Sequence, residues 1–457
     1  MKIYAGRLFD PYTLLLAPNR VITVDQDAGL VVDVQPFSEM EERGVDFSAE
    51  GVVDLRSETV LPGFVDAHVH FFLHPYSETS WEDQLTKEPL AERTVRATVH
   101  ARRTLMAGYT AVRDLGTEGA EDADIALRRC LSGPDPLIPG PRYFCANRAI
   151  VVTGSYGPKS RLHVNQEGVE GVTGAEIADG EVECVKAVRR QVGAGADWIK
   201  IYADYRFRSR IGDVSSATSK AAIRTFNDKE MQALVSTAHQ LGAKVSAHAA
   251  HWRILTSPEY HGVDSLEHGY DMTSDVVAEE DYLDFIRQYG PTWVPTLAAY
   301  YTMDPGKNPD GPWARAARTF QRALQRGVDK IACGGDTGVF AHGDNALEMK
   351  LMVMLGAPWQ RVLRWATLGG WECVRSMAWE GRVGEERLRR VGEMHEDARI
   401  VGDNEVPFGA VRRGFAADII ATSGDLEGDF HAAVDRENIG FVMKGGKVYK
   451  QDGRELV

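Results

Sequence analysis

Six residues of this chain have the types and spacing to hold metal ions. His68 and His70 stand at i and i+2 in the apolar run FVDAHVHF, and because strand side chains alternate, both point to one side of it. They can share one metal ion. An isolated HxH is more often a pair of ordinary histidines, so its company decides the matter. His248 closes VSAHA, His268 closes SLEHG and Asp336 closes ACGGD, each at the C-terminal end of an expected strand. Such nitrogen and carboxylate donors suit zinc or a similar divalent ion and leave room for a water. Lys200 is the sixth member. In DWIKIYA it belongs to the alternating set Trp198, Lys200, Tyr202, set against Ile199, Ile201 and Ala203, and lysine is seldom fully buried without a partner. Either it is salt-bridged to a core carboxylate, or its amine carries carbon dioxide as a carbamate, an anion able to bridge two metals.

Strands must carry these residues. Between Val60 and Thr337 the runs TVLPGFVDAHVHF, TAVRDLG, PRYFCAN, DWIKIYA, KVSAHA, SLEHG, TWVPTLAAY and KIACGGDTG alternate with segments of helical spacing, such as ERTVRATVHARRTLMAG and DKEMQALVSTAHQLG. Strands alternating with helices predict right-handed crossovers and a parallel sheet. Eight such units fit an α/β fold of the (β/α)8 TIM-barrel type, which places its sites at the C-terminal ends of the strands; an open doubly wound sheet is the alternative. Short alternating strands occupy the first 57 residues, and strands return in FAADIIATSG and GFVMKGGKVYKQDG. The two ends are expected to form one small β-sandwich, which divides the chain into residues 1–57, a 58–408 barrel with C-terminal helices, and 409–457.

Composition narrows the partners. With 66 Asp+Glu against 52 Lys+Arg, the net charge of −14 repels phosphate backbones and anionic lipid. A small-molecule substrate is expected, with no nucleic acid and no membrane, and with self-association into a homo-oligomer. No apolar run suits a signal peptide or a membrane span, and the five cysteines lack a CxxC pair, which fits reduced thiols in the cytoplasm.

Taken in order, FVDAHVH, the lysine of DWIKIYADYR, AHAAH, SLEHG and GGDTG resemble the amidohydrolase superfamily in its binuclear branch. GPR, TGSYGP, HGDN and the closing FAADIIA and VMKGGK add a likeness to the Xaa-Pro dipeptidase, carboxypeptidase and imidazolonepropionase-related group. The resemblance implies two divalent ions, zinc being the expected metal. His68, His70 and Asp336 would hold one, His248 and His268 the other, with carbamylated Lys200 between them. A bridging hydroxide would attack the substrate carbonyl while Asp336 acts as the catalytic proton shuttle. One departure is visible: peptidase-like relatives often carry HAH where this chain has His248, Ala249, Ala250 and then His251, so His251 either takes over a substrate-facing role or that role is absent. Tyr205, Arg206 and Arg208 could grip a substrate carboxylate. His342 and Asp344 could line or support the site, His74 and His163 are loop candidates, and Trp293, Tyr300 and Tyr301 could give it an apolar wall. The expected activity is hydrolysis of a C–N amide bond in a dipeptide, an N-acyl amino acid or a cyclic amide. A lactonase, a mononuclear deaminase and a non-catalytic scaffold are the alternatives.

Overall fold

The protein is described by a computed structural model covering residues 1–38, 43–133, 135–157, 174–207, 223–251, 262–271, 279–304, 308–394 and 403–457. It is a mixed α/β protein. Three parallel strands, Phe64–Val69, Tyr109–Asp114 and Arg142–Cys145, form one sheet, and Trp198–Tyr202, Lys244–His251, Ser265–Asp271 and Thr292–Val294 lie side by side in another. Backbone bonds link the two at one side, where Asp197 N–H donates to the Cys145 carbonyl over 2.9 Å. At the other side the segment 331–337 lies between Thr292–Val294 and Phe64–Val69.

That segment was expected to be the eighth strand. It makes only isolated bridges, Ile331 to Trp293 and Thr337 to Val69, together with bonds such as Ala67 N–H to the Cys333 carbonyl and Asp336 N–H to the His68 carbonyl, both 2.8 Å. The glycines explain the close approach: a Cβ on Gly334 would lie 2.5 Å from Val294 Cγ1 and 2.9 Å from His68 Cβ, so only glycine lets the three segments meet. The run TWVPTLAAY also departs from expectation. It is strand only over Thr292–Val294, because Pro295 offers no N–H to a ladder, and Thr296 at φ 50° turns the chain into the helix Leu297–Met303.

Both chain ends contribute to one sheet of eight strands rather than to two separately assigned layers. Ile419–Thr422 runs antiparallel to Val52–Pro62, which pairs in parallel with Lys2–Asp10, and this joins the C-terminal strands to the N-terminal ones. The Val52–Pro62 strand crosses the expected boundary at residue 57. The sheet curls: Leu30, at its far edge, bridges Ala416 just ahead of the Ile419–Thr422 strand. Ile3, Ile22, Val31, Leu55, Phe441 and Met443 form its own apolar core.

Helices cover the parallel strands in the order read from the sequence. Gly180–Ala194 ends on Gly195 at φ 115°, the left-handed stop that glycine tolerates. Asp228–Gln240 begins with a capping box, Asn227 and Glu230 each bonding the other's backbone N–H. Among the described residues no helix is long and apolar enough to cross a membrane.

Candidate active site

His68, His70, Lys200, His248, His268 and Asp336 all line one cavity of about 380 Å³ at the C-terminal ends of the parallel strands. The ring centroids of His248 and His268 are 4.4 Å apart and those of His68 and His268 5.1 Å. Ligand atoms of His68, His268 and Asp336 lie within 4.8 Å of one another. Asp336 Oδ1 sits 3.3 Å from His70 Nε2 and 3.6 Å from His68 Nε2.

Three of the histidines have Nδ1 engaged elsewhere, which turns Nε2 toward the cavity. His68 Nδ1 meets Glu267 Oε2 at 2.8 Å, His70 Nδ1 the Gly116 carbonyl at 2.8 Å, and His268 Nδ1 the Thr296 hydroxyl at 2.7 Å. Such outer partners fix the tautomer and ring orientation of metal-binding histidines. Behind His68 lies a buried polar floor. Arg113 donates to Glu267 Oε1 at 2.8 Å, and the Ser246 and Ser265 hydroxyls donate to the same oxygen. Asp66 fixes the neighbouring backbone by accepting from the N–H groups of His68 and Gly335 and from the Asn345 amide.

Two residues of the set hold a left-handed backbone, His268 at φ 73° and Asp336 at φ 62°. Neither is a residue for which that conformation is free of cost, and strain of this kind concentrates at functional sites.

The electrostatics suit cations. Burial pushes the His68 ring down to about 4, His268 to about 3 and His248 well below the usual value, so these imidazoles are neutral, as metal ligands must be. His70 differs: burial works against its charge, but the hydrogen bond to Asp336 and that residue's charge outweigh it and raise His70 to about 9, so a metal ion bound there would displace its proton. Burial likewise opposes ionisation of Asp336, yet the neighbouring His68 and His70 rings, the latter through a hydrogen bond, hold its carboxyl well below the usual range. Lys200 is pushed down by burial to about 8, against the pull of Glu267 and Asp336, and its Nζ has no hydrogen-bond partner among the described residues. A buried, unpaired amine among neutral imidazoles and a carboxylate is a donor set that fits divalent cations, with the amine open to modification.

The remaining expectations fall in different places. Tyr205 and Arg206 line the cavity, as does Tyr300. His342 does not: it is buried, bonded to the Leu73 carbonyl at 2.9 Å and stacked on His100 at 4.2 Å. His74 is held by Glu78, Glu88 and Gln84, Asp344 pairs with Arg436, Trp293 is buried with its indole N–H on the His268 carbonyl, and Tyr301 packs on Trp313. His251 ends its strand, but its side chain, like Arg208 and His163, lies outside the described residues. Sequence reading missed Glu118 and Trp81, both on the cavity wall, since neither belongs to a periodic run. It also missed Glu267, whose position beside His268 in SLEHG was the available signal.

Known proteins resemble this arrangement. The sequence model of the amidohydrolase family matches residues 59–290. An ochratoxinase of Aspergillus niger is 25% identical over 422 residues, covering 87% of this chain and 77% of its own. The crystal structure of a Xaa-Pro dipeptidase with bound methionine in the active site superposes with a TM-score of 0.74 at 26% identity, over 98% of this chain and 99% of the other. That of A. niger ochratoxinase superposes with a TM-score of 0.71 at 22% identity, over 98% and 95%. These neighbours imply a TIM-barrel-type fold with a separate domain.

Proposed function

Because the chain belongs to the amidohydrolase family, whose members act as hydrolases on amide and peptide bonds, we propose that it is a metal-dependent hydrolase of a C–N amide bond in a small molecule. The observation that carries this reading is Lys200: a fully buried amine without a hydrogen-bond partner among the described residues, lining one cavity with four histidines and Asp336. His68, His70 and Asp336 would hold one divalent ion and His248 and His268 a second, zinc being the expected metal, with carbamylated Lys200 between them. Bound there, the ions supply Lewis acidity and lower the pKa of water.

The chain's own groups do the rest. Asp336, ionised and in reach of two imidazoles, takes the proton of the attacking water and delivers it to the leaving nitrogen. Glu267 holds His68 in one tautomer through Nδ1. Tyr205 and the exposed Arg206, which line the cavity, would grip a substrate carboxylate. The Xaa-Pro dipeptidase neighbour supports a dipeptide, and the ochratoxinase relative a more elaborate small molecule. We further propose that the two parallel sheets and the 331–337 segment close into one (β/α)8 barrel of residues 58–408, supported by the backbone bonds at both gaps. The segments 1–57 and 409–457 would then form the second domain as a sandwich-like fold of the curled sheet.

The test is a zinc-loaded preparation assayed against dipeptides, N-acyl amino acids and lactones, with metal content measured on the same sample. Close to two ions per chain and amide cleavage abolished by chelation are expected. Active protein without stoichiometric metal overturns the mechanism. A single ion favours the mononuclear reading, to which the compact His68, His268 and Asp336 group lends itself.

A further inference from the structure

The cavity holds one acid that the proposed chemistry does not use. Glu118 is 4% exposed, lines the cavity, and accepts a hydrogen bond from Trp81 Nε1 over 3.0 Å. It makes no ion pair among the described residues, whereas Asp336, the other carboxylate lining the cavity, is engaged with His68 and His70. Trp81 begins a run of aromatic rings along the same wall: its centroid is 5.6 Å from that of Tyr156, which is 5.0 Å from Tyr202 and 6.0 Å from Tyr205. Tyr76 and Tyr300 also line the cavity.

A buried carboxylate that forms no direct ion pair among the described residues, with only the more distant charges of His70 and Arg93 to offset its burial, is costly, and aromatic faces favour a cation further. We infer that Glu118 and the Trp81–Tyr156 wall form a subsite for a positively charged nitrogen, so that the substrate carries an ammonium group such as a free amino terminus or an alkylamine. This rests on the hydrolase reading for its meaning as a substrate subsite, although the binding itself does not depend on catalysis. Burial raises the Glu118 pKa, against the charges of His70 and Arg93, and an ammonium seated on the carboxylate would draw it back toward the ionised form. The Trp81 bond leaves Oε2 fixed and gives the acid one orientation. Glu118 is therefore a specificity residue, separate from the six that would bind metal.

The probes are phenethylamine and phenethyl alcohol, which match in size and aromatic face and differ in charge, titrated calorimetrically into the zinc-loaded full chain at pH 7. The amine is expected to bind at least about 10-fold more tightly to the wild-type protein, the scale of one charge-assisted contact. In Glu118→Gln, which retains an oxygen for Trp81, that preference should shrink to roughly 2-fold or less while alcohol binding is unchanged. In Glu118→Asp, which keeps the charge, a preference should persist. Equal binding of both probes to the wild type, no measurable amine binding, or a preference that survives Glu118→Gln overturns the inference. Amide cleavage is assayed separately on a dipeptide and its N-acetyl form: no cleavage of either removes the hydrolase reading while leaving the binding result intact, and cleavage of both with equal kcat/KM removes the subsite's role in selecting substrate.

Discussion

Glu267→Gln separates the polar floor from the metal-binding set above it. Both Glu267 and Arg113 have fully buried side chains, 0% exposed, with Nη2 and Oε1 2.8 Å apart. Burial opposes the Glu267 charge, but Arg113 and the His68 hydrogen bond outweigh it and hold the carboxyl far below its usual range. Glutamine fits the space but satisfies only one side at a time. With its NH2 toward Arg113 it faces the guanidinium and two serine donors. With its NH2 toward His68 it forces Nδ1 to accept, which puts the ring proton on Nε2, the nitrogen turned to Asp336. Breaking one partner of a buried pair costs about 3–5 kcal/mol, and losing an outer partner costs metal affinity about 10–100-fold. Melting is measured in chelator so that metal linkage does not mask the intrinsic loss; a drop of about 3–5 °C is expected for a loss of that size in a chain of 457 residues. Metal affinity is then titrated on the same protein. Arg113→Met combined with Glu267→Gln should recover much of the melting point and part of the affinity, because the unpaired charge is gone and the amide can then turn its oxygen to His68 and its NH2 to the serine hydroxyls. An unchanged melting point and unchanged metal affinity in Glu267→Gln would refute the reasoning.

Three more outcomes follow from named groups. Lys200→Ala should lose activity and regain part of it with added short-chain carboxylic acids, which can stand in for a carbamate; full activity without them counts against the modification. Asp336→Asn should keep much of its metal and lose about 10²–10⁴-fold in turnover, since the amide retains a ligating oxygen and no basicity; full turnover with a lowered melting point would mean the proton shuttle lies elsewhere. Glu348 is buried, accepts the Ala298 N–H at 2.7 Å through Oε2 and has Oε1 without a hydrogen-bond partner among the described residues, and burial raises its pKa to about 8. Its folded state therefore holds a proton the unfolded chain releases above the ordinary glutamate value of 4.5, so this group withdraws stability as pH rises from there toward 8, by roughly 3 kcal/mol at pH 7. Glu348→Gln should flatten that part of the melting-point profile between pH 5 and 8, and an unchanged slope contradicts the assignment.

Strand parity explains which parts of the site could be read from the residues alone. Lys200 and Tyr202 share one face of their strand, and both line the cavity. Trp198, two residues earlier on that face, lies deeper, its ring 4.3 Å from the Arg113 guanidinium carbon. Ser246 and His248 repeat the relation, with the serine in the polar floor and the histidine on the cavity. Alternation thus stacks a buried layer beneath an active one, and a two-residue period is visible in a sequence. It fails at SLEHG, where neighbours Glu267 and His268 should point to opposite faces. Glu267 reaches His68 from the floor while His268 lines the cavity, and the φ of 73° at His268 is where the regular alternation ends. No pattern of residue types encodes that dihedral, nor the one at Asp336, nor the fold of the segment that brings Trp81 onto Glu118. Positions set by period were legible, whereas those set by a strained turn or by a non-periodic segment were not. The two strained residues are also two that would bind metal. At roughly 1–3 kcal/mol each, that strain is small beside the buried core that offsets it, and it aims side chains where a regular strand would not send them.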